Sequence, residues 1–179
     1  MKRTLVLLLA LGLLAGGALW YSAAGTEKVR IRRMAEEQEE ALGELVRLCQ
    51  TVQGIGRWEM LPDNMPHDYV LRDGNMEERP LASPCGEQIA EVCEAVFEEY
   101  PFNGVYAVYD DAEHFRINFY QTKRDGDRYI KYYLIYIDPA YEAGFYDSFY
   151  GAVQDGYAQE NCRLFGDWYC WSESMADIY

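Results

Sequence analysis

Tyrosines alternate with basic and polar residues between positions 104 and 137, and this is the part of the sequence best suited to binding chemistry. Tyrosine supplies a rigid ring with a polar tip, on which sugars and ligand groups stack. Arginine and lysine add hydrogen-bond donors and positive charge for an acidic group. Gathered on one face of a sheet, these residues would form a platform for a glycan, a peptide or an acidic protein partner.

The same region predicts an antiparallel meander that would bring these side chains together. Strand patterns cover 104–109, 114–122 and 129–137, with a turn at 110–112 and a hairpin signal at Asp125-Gly126. With Asp125 and Gly126 as the turn residues, Phe119 lies opposite Tyr132 and the apolar side chains share one face. The other, outer face is expected to carry Val105 and Ala107 and the candidate ligand-binding residues Tyr109, His114, Arg116, Asn118, Tyr120, Lys131 and Tyr133.

Two alternatives explain this outer face without a ligand. Tyrosine is favoured in strands, so the face could simply be solvated. Residues 140–160, which are rich in aromatic residues and glycine, or the first helix could also fold across it. The residue pattern leaves these alternatives open beside the binding platform.

The residue types needed for common catalytic and metal sites are few and badly spaced. His67 and His114 are the only histidines, and neither lies in a nucleophile motif such as G-x-S-x-G. The chain contains no C-x-x-C pair, no Gly-rich phosphate loop and no ligand-spaced calcium loop. The sequence therefore predicts no metal and no cofactor and favours a non-catalytic role. A small hydrolase with a pocket under residues 140–160 is the catalytic alternative.

Five cysteines are present, and one pair among them is predicted to form a disulfide. Cys162 and Cys170 would lie opposite each other in a hairpin centred on Gly166, at a separation that suits a bridge. Cys85 and Cys93 would lie about 12 Å apart along one helix and could not bridge. In a reducing compartment all five would stay reduced.

Residues 1–25 are predicted to be a signal-anchor or transmembrane segment. Lys2 and Arg3 precede a run from Thr4 to Trp20 without any charged residue, as in export signals and membrane spans. We expect a retained single-pass anchor with the C-terminal domain outside the cytoplasm. Secretion after cleavage near Ala24 is the alternative.

The charge of the chain narrows the class of partner. Thirty acidic residues against sixteen basic ones give a net charge of −14. Such a field repels nucleic acid, so we expect no nucleic-acid partner.

Residues 26–53 are predicted to form a membrane-proximal amphipathic helix. Its apolar residues recur at steps of three and four, a seam that includes Ile31, Met34, Leu45, Leu48 and Val52. The seam could form a coiled-coil homodimer, or it could pack on the chain's own domain.

Residues 54–179 are predicted to be a single α+β extracytoplasmic domain. Glycines and prolines interrupt 54–84, which predicts an ordered loop with one short strand. A second helix is expected between Ser83 and Pro101. The predicted fold is an antiparallel sheet of four to five strands packed against one or two helices. Its predicted function is a membrane-anchored binding module that uses the tyrosine-rich face, or alternatively a structural accessory subunit of a membrane complex.

Overall fold

The structure of this chain is a computed structural model, and it describes seven stretches of the sequence. They are residues 27–52, 56–72, 75–81, 85–110, 114–126, 128–139 and 161–176. The predicted anchor at 1–25 and the aromatic segment at 140–160 lie outside them, as do Ser83 and Pro84 at the predicted start of the second helix.

The described residues form three helices. Helix α1 is described from residue 27 to residue 37, α2 is Glu39–Thr51 and α3 is Cys85–Glu99. Gln38 separates α1 from α2, yet its N–H still donates to the Met34 carbonyl at 2.9 Å and its carbonyl accepts from Leu42 N–H at 2.9 Å. The long helix predicted from the seam is therefore two nearly continuous helices.

Seven strands make one antiparallel sheet, more than the four to five predicted. They are β1 Arg57–Met60, β2 His67–Arg72, β3 Asn75–Pro80, β4 Gly104–Asp110, β5 His114–Asp125, β6 Arg128–Ile137 and β7 Trp168–Ala176. Their spatial order is β3-β2-β1-β4-β5-β6-β7. The α+β class is thus confirmed, and the additional strands come from residues 54–84.

Prolines near these additional strands make the strand pattern hard to recognise in the sequence, but none of them lies in the interior of a strand. Pro62 and Pro66 lie in the connection between β1 and β2, and Pro80 is the last residue of the edge strand β3. An edge strand tolerates proline because one side of its backbone needs no ladder partner.

The helices cover one face of the sheet, and the seam of α1 and α2 contributes to that core. The seam residues Ile31, Leu45 and Leu48 are at most 8% exposed. They belong to the same buried cluster as Phe115 and Phe119 of β5. These side chains therefore pack within the domain, which was one of the two predicted roles of the seam. A homodimer through 27–53 stays a prediction and would need other side chains.

The β5–β6 hairpin turns one residue later than predicted. Asp125 pairs with Arg128, and Phe119 therefore lies opposite Leu134 rather than Tyr132. Gly126 at the turn has φ +60°, a conformation that glycine adopts without strain. The shift in pairing is two residues, so every side chain of β5 and β6 stays on its predicted face.

The β4–β5 pairing contradicts the prediction for β4. Asp110 pairs with His114, and Val105 therefore pairs with Phe119. Placing His114 beside Tyr109 was wrong by one residue, and a one-residue slip exchanges the two faces of a strand. Val105, Ala107 and Tyr109 consequently point into the core. Tyr109 is not a ligand-binding residue of the outer face.

Tyr109 instead joins β1 and α2 from inside the core. Its hydroxyl accepts a hydrogen bond from Trp58 Nε1 at 3.2 Å and donates to the Cys49 carbonyl at 3.2 Å. Burial raises the pKa of Tyr109 well above its usual range. The hydroxyl therefore stays protonated and satisfies two buried polar groups.

We expect Tyr109→Phe to lower the free energy of unfolding by about 1–2 kcal/mol, because Trp58 Nε1 loses its acceptor inside the core. Tyr120→Phe removes the same atom from an outer-face tyrosine and should change stability by less than about 0.5 kcal/mol. Urea denaturation of both variants measures the difference. Equal stability of Tyr109→Phe and the unsubstituted protein would contradict the buried position of this hydroxyl.

The first residue described in α1 is bound to the sheet. Glu27 accepts from the Tyr100 hydroxyl at 2.5 Å and from Arg30 at 3.2 Å, and it pairs with the Lys123 ammonium of β5. Burial by itself would raise the pKa of Glu27, but the hydrogen bonds from Lys123 and Tyr100 outweigh it and hold the pKa below its usual value. The carboxylate thus anchors α1 in its charged form.

The lowered pKa predicts a pH-dependent effect of Glu27→Gln. Because the folded pKa lies below the unfolded one, this carboxylate stabilises the fold above about pH 4.5, and the contribution is lost as the pH falls through the folded pKa. We expect the variant to be about 1 kcal/mol less stable at neutral pH. The deficit should shrink between about pH 5 and pH 3.

Thermal or urea unfolding across this pH range provides the measurement. Glu36→Gln is the matched control, since Glu36 is an exposed residue of the same helix without an ion pair to any described residue. A Glu27→Gln deficit that stays constant with pH would mean that the charge of Glu27 plays no part.

Candidate ligand-binding groove

A groove of about 400 Å³ lies on the outer face of the sheet. It crosses the four strands β1, β4, β5 and β6, all of which have neighbours on both sides. The residues that line it are Arg57, Glu59, Tyr106, Val108, Arg116, Tyr120, Lys131 and Tyr133. Hereafter this is the outer groove.

Strand alternation and pairing place these side chains side by side. Trp58 and Met60 of β1 are buried in the core, so Arg57 and Glu59 point outward. Glu59 is paired with Tyr106 across β1 and β4. Across β5 and β6, Tyr120 is paired with Tyr133.

Contacts within the outer groove hold its β1 side in place. The Arg57 guanidinium lies 4.8 Å from the Tyr106 ring centre and 3.2 Å from Glu59 Oε2. Glu59 Oε1 accepts from the Tyr120 hydroxyl at 3.3 Å. The Tyr106 and Tyr120 rings lie 6.0 Å apart at 51°. These contacts order the two rings as a tilted pair before any ligand arrives.

The tyrosine hydroxyls of the outer groove are donors at neutral pH. Burial raises the pKa of Tyr106, Tyr120 and Tyr133 above the usual value. Tyr133 donates to Glu173 of β7 at 2.8 Å. A ligand oxygen therefore meets protonated hydroxyls and not phenolates.

The outer groove is basic on an acidic protein. Within the described part of the chain its lining carries three cations and one carboxylate, a formal +2 (3 − 1), and Glu173 at its edge makes the sum +1. The whole chain carries −14. Lys131 has no acidic partner among the described residues, although Glu173 lies opposite it in the β6–β7 pairing. The Lys131 ammonium is therefore available to an acidic ligand group.

Gly104 leaves space for one end of the outer groove. A Cβ atom at this position would lie 2.9 Å from the Tyr120 hydroxyl and 3.1 Å from Leu61 Cδ2. A larger residue would push the tyrosine tip aside. The position of Tyr120 thus depends on a glycine that the sequence pattern does not distinguish.

Four of the seven predicted binding residues meet in the outer groove: Arg116, Tyr120, Lys131 and Tyr133. Tyr109 lies in the core. His114 Nδ1 lies 3.3 Å from Asp138 Oδ1, outside the groove lining. Asn118 is on the same face but only 2% exposed, so a ligand cannot reach it. Its Nδ2 atom has no hydrogen-bond partner among the described residues.

Sequence reasoning missed four lining residues: Arg57, Glu59, Tyr106 and Val108. Arg57 and Glu59 alternate with Trp58 and Met60, which is a strand pattern that the surrounding glycines and prolines masked. Tyr106 was missed because β4 was assigned the wrong face. Counting the β4–β5 connection one residue shorter would have found it.

The outer face is open only in part. Ile135, Ile137 and Tyr169 point to this face and are 4% exposed or less. Helix α1 does not cover it, since Ile31 packs into the core on the opposite face. The segment 140–160, the other predicted cover, lies outside the described residues.

No protein-family model matches this chain, and neither the curated proteins nor the solved structures compared with it include a match. The described residues contain no cluster of three or more side chains suited to a metal ion. None of the described helices is long and apolar enough to cross a bilayer.

Cys162 and Cys170 lie opposite each other, as the hairpin prediction requires. The Cys170 N–H donates to the Cys162 carbonyl at 2.8 Å, and Arg163 pairs with Tyr169 in the same register. Cα atoms of such a pair are about 5.5 Å apart, within the range for a disulfide. Both thiols are free in this structure and nearly buried.

We expect these two cysteines to form a disulfide when the chain folds in an oxidising compartment. Of five cysteines, three (5 − 2) should then react with iodoacetamide after denaturation. Mass spectrometry of the digested protein should recover the peptide that links residues 162 and 170. Cys162→Ser is the control, because its four remaining thiols should all react. Five reactive thiols, or a bridge through Cys49, would contradict the pairing.

Proposed function

We propose that this protein is a binding module that captures a carboxylate-bearing glycan in the outer groove. We further propose that residues 1–25 hold it at a membrane with the domain outside the cytoplasm. The observation that carries the proposal is the convergence of Arg57, Arg116 and Lys131 with three tyrosine hydroxyls in one groove of a protein of charge −14. The cations suit an acidic ligand group, and the tyrosine oxygens, whose protons go to Glu59 and Glu173 in the case of Tyr120 and Tyr133, can still accept from ligand hydroxyls.

The charge distribution limits the size of the ligand. A short anionic ligand meets the local positive charge of the outer groove, whereas a long polyanion also meets the acidic remainder of the protein. The groove volume of about 400 Å³ falls within the range of small-molecule sites. A short acidic oligosaccharide fits both conditions.

The position of the outer groove favours a glycan over a peptide. Extended peptides commonly bind by adding a strand to a free sheet edge. The four strands of the outer groove are paired on both sides, so their backbones offer no free edge. Recognition must use side chains, and the tilted Tyr106–Tyr120 pair offers aromatic surface for a sugar ring.

The outer groove supports binding better than hydrolysis. Glycosidases use a pair of carboxyl groups on either side of the scissile bond. Glu59 is the single carboxylate among the lining residues that the structure describes, and it is held by Arg57 and Tyr120. The Glu59 carboxylate is therefore placed to accept hydrogen bonds from ligand hydroxyls.

Two further observations bear on the membrane part of the proposal. The uncharged run after Lys2 and Arg3 supports an anchor, with secretion after cleavage near Ala24 as the alternative. A structural accessory subunit would need an exposed docking surface on α1 or α2. Their apolar seam is buried against the sheet, which favours the binding module.

The test of the outer groove is binding to an array of uronic- and sialic-acid oligosaccharides and their neutral counterparts. We expect the full chain to bind acidic glycans in preference to neutral ones. Lys131→Gln should weaken that binding by about tenfold, because one charge-assisted hydrogen bond is lost. Arg128→Gln is the matched control, since it removes one charge from the same strand outside the groove.

Three results would count against the proposal. They are equal retention of neutral glycans, equal losses in the two variants, and no acidic glycan bound by the unsubstituted protein. Tighter binding of a glutamate-rich peptide included on the array would identify a protein partner instead.

A further inference from the structure

A second, smaller pocket lies on the core side of the sheet, between the first turns described in α1 and a part of the chain that includes Asn161, Cys162 and, within β7, Cys170. Its volume is about 150 Å³. Its lining residues are Lys28, Val29, Arg32, Asn161, Cys162 and Cys170. Hereafter this is the α1 pocket.

The α1 pocket collects two cations that have no counter-ion among the described residues. Arg30 pairs with Glu27 at 3.2 Å, and Arg33 pairs with Glu37 at 3.6 Å. Lys28 and Arg32 pair with no described acidic residue. They are four residues apart, so they lie on one face of the helix, and both line the pocket.

The thiols in the α1 pocket do not neutralise these cations. Burial raises the pKa of Cys162 and Cys170, the latter to about 11, although Lys28 and Arg32 act in the opposite direction. Both thiols are therefore protonated at neutral pH, and in the disulfide predicted for an oxidising compartment the two sulfur atoms would carry no charge either. The described lining offers two positive charges and no negative one.

The attachment of Glu27 to the sheet limits the distance between the α1 pocket and residues 1–25. Glu27 is bound to Tyr100 and Lys123, so the folded domain begins no later than this residue. Lys28 follows residue 25 by three positions, and three residues span at most about 11 Å in any conformation. If residues 1–25 lie in a bilayer, the α1 pocket must lie at the level of the lipid head groups.

We propose that the α1 pocket binds the phosphate of an anionic phospholipid and thereby seats the domain on the membrane surface. This inference rests on the membrane part of the proposed function. The pocket is smaller than the roughly 300 Å³ at which small-molecule sites begin, which suits one head-group anion and not a whole metabolite. Val29 at its rim is 64% exposed, an apolar contact for the glycerol and upper acyl region.

The charge of the domain makes such a site necessary for close approach to anionic lipid. A chain of net charge −14 is repelled by a negatively charged surface unless basic residues face it. Lys28 and Arg32 supply that contact next to the membrane segment. Their pocket makes the contact specific for a head group, because the phosphate can enter between α1 and Cys162.

The test uses the full chain purified in a neutral maltoside detergent and titrated with dihexanoyl phosphatidylglycerol by calorimetry. Dihexanoyl phosphatidylcholine and inorganic phosphate are titrated in parallel. We expect phosphatidylglycerol to bind most tightly. Lys28→Gln combined with Arg32→Gln should weaken that binding at least about tenfold, since each basic residue at a membrane surface contributes about fivefold in affinity.

The matched control combines Arg33→Gln with Arg47→Gln. It removes the same two charges from exposed positions of α1 and α2 outside the α1 pocket. We expect its affinity for phosphatidylglycerol to stay within about twofold of the unsubstituted protein, because surface pairs contribute little. Circular dichroism melting of both double variants confirms that each is folded.

Each other outcome overturns the inference. Equal losses in the two double variants would show a general charge effect, and no loss in either would place the lipid elsewhere. Inorganic phosphate bound as tightly as phosphatidylglycerol would identify a free-anion site.

Different experiments would show that the proposed function itself is wrong. Secretion of a chain that begins near Gly25 would end the anchor proposal, and loss of acidic-glycan binding in Lys131→Gln tests the outer groove alone.

Discussion

The pairing of β4 with β5 is the constraint on which the rest of this structure depends. Val105 lies opposite Phe119, and this register directs Tyr109 inward and Tyr106 outward. Inside, the Tyr109 hydroxyl joins Trp58 to the end of α2. Outside, Tyr106 brings Arg57 against an aromatic ring and completes the outer groove. A slip of one residue would turn Tyr106 towards the core and Val105 and Tyr109 towards the outer face, so this one register specifies both the core and the groove.

Positive charge is scarce on this protein, and the fold concentrates it. The chain has sixteen basic residues against thirty acidic ones, yet three cations meet in the outer groove and two in the α1 pocket. Several described arginines are paired with a nearby carboxylate, as Arg79 is with the buried Asp68 and Arg57 is with Glu59. Among the described lining residues, cations outnumber carboxylates by three to one in the outer groove and by two to none in the α1 pocket, so both pockets favour an acidic occupant.

Glu27 connects the start of the described chain, where we propose the membrane contact, to the sheet that carries the outer groove. Its carboxylate attaches the start of the described chain to Tyr100 and Lys123 at one end of the sheet. The helix that follows buries Ile31 in the core while Lys28 and Arg32 stay at the surface. The outer groove opens on the opposite face of the sheet. A domain held in this way would keep the outer groove away from the lipid contact that we propose for α1.

Local patterns in the sequence were enough for α3, whose apolar stripe is buried, and for the faces of β5 and β6. An error of two residues in their hairpin did no harm, because side chains alternate with a period of two. The same reasoning failed for Tyr109, where the error was one residue. It also predicted only one short strand where β1, β2 and β3 lie, since a short strand between prolines is stable only through its partners. Trp58 and Glu59 take their places by pairing with Ala107 and Tyr106, almost fifty residues away. Composition and periodicity thus determined the class of fold and the charge of the protein. Only tertiary pairing decided which side chains share a groove, because that depends on contacts between distant strands.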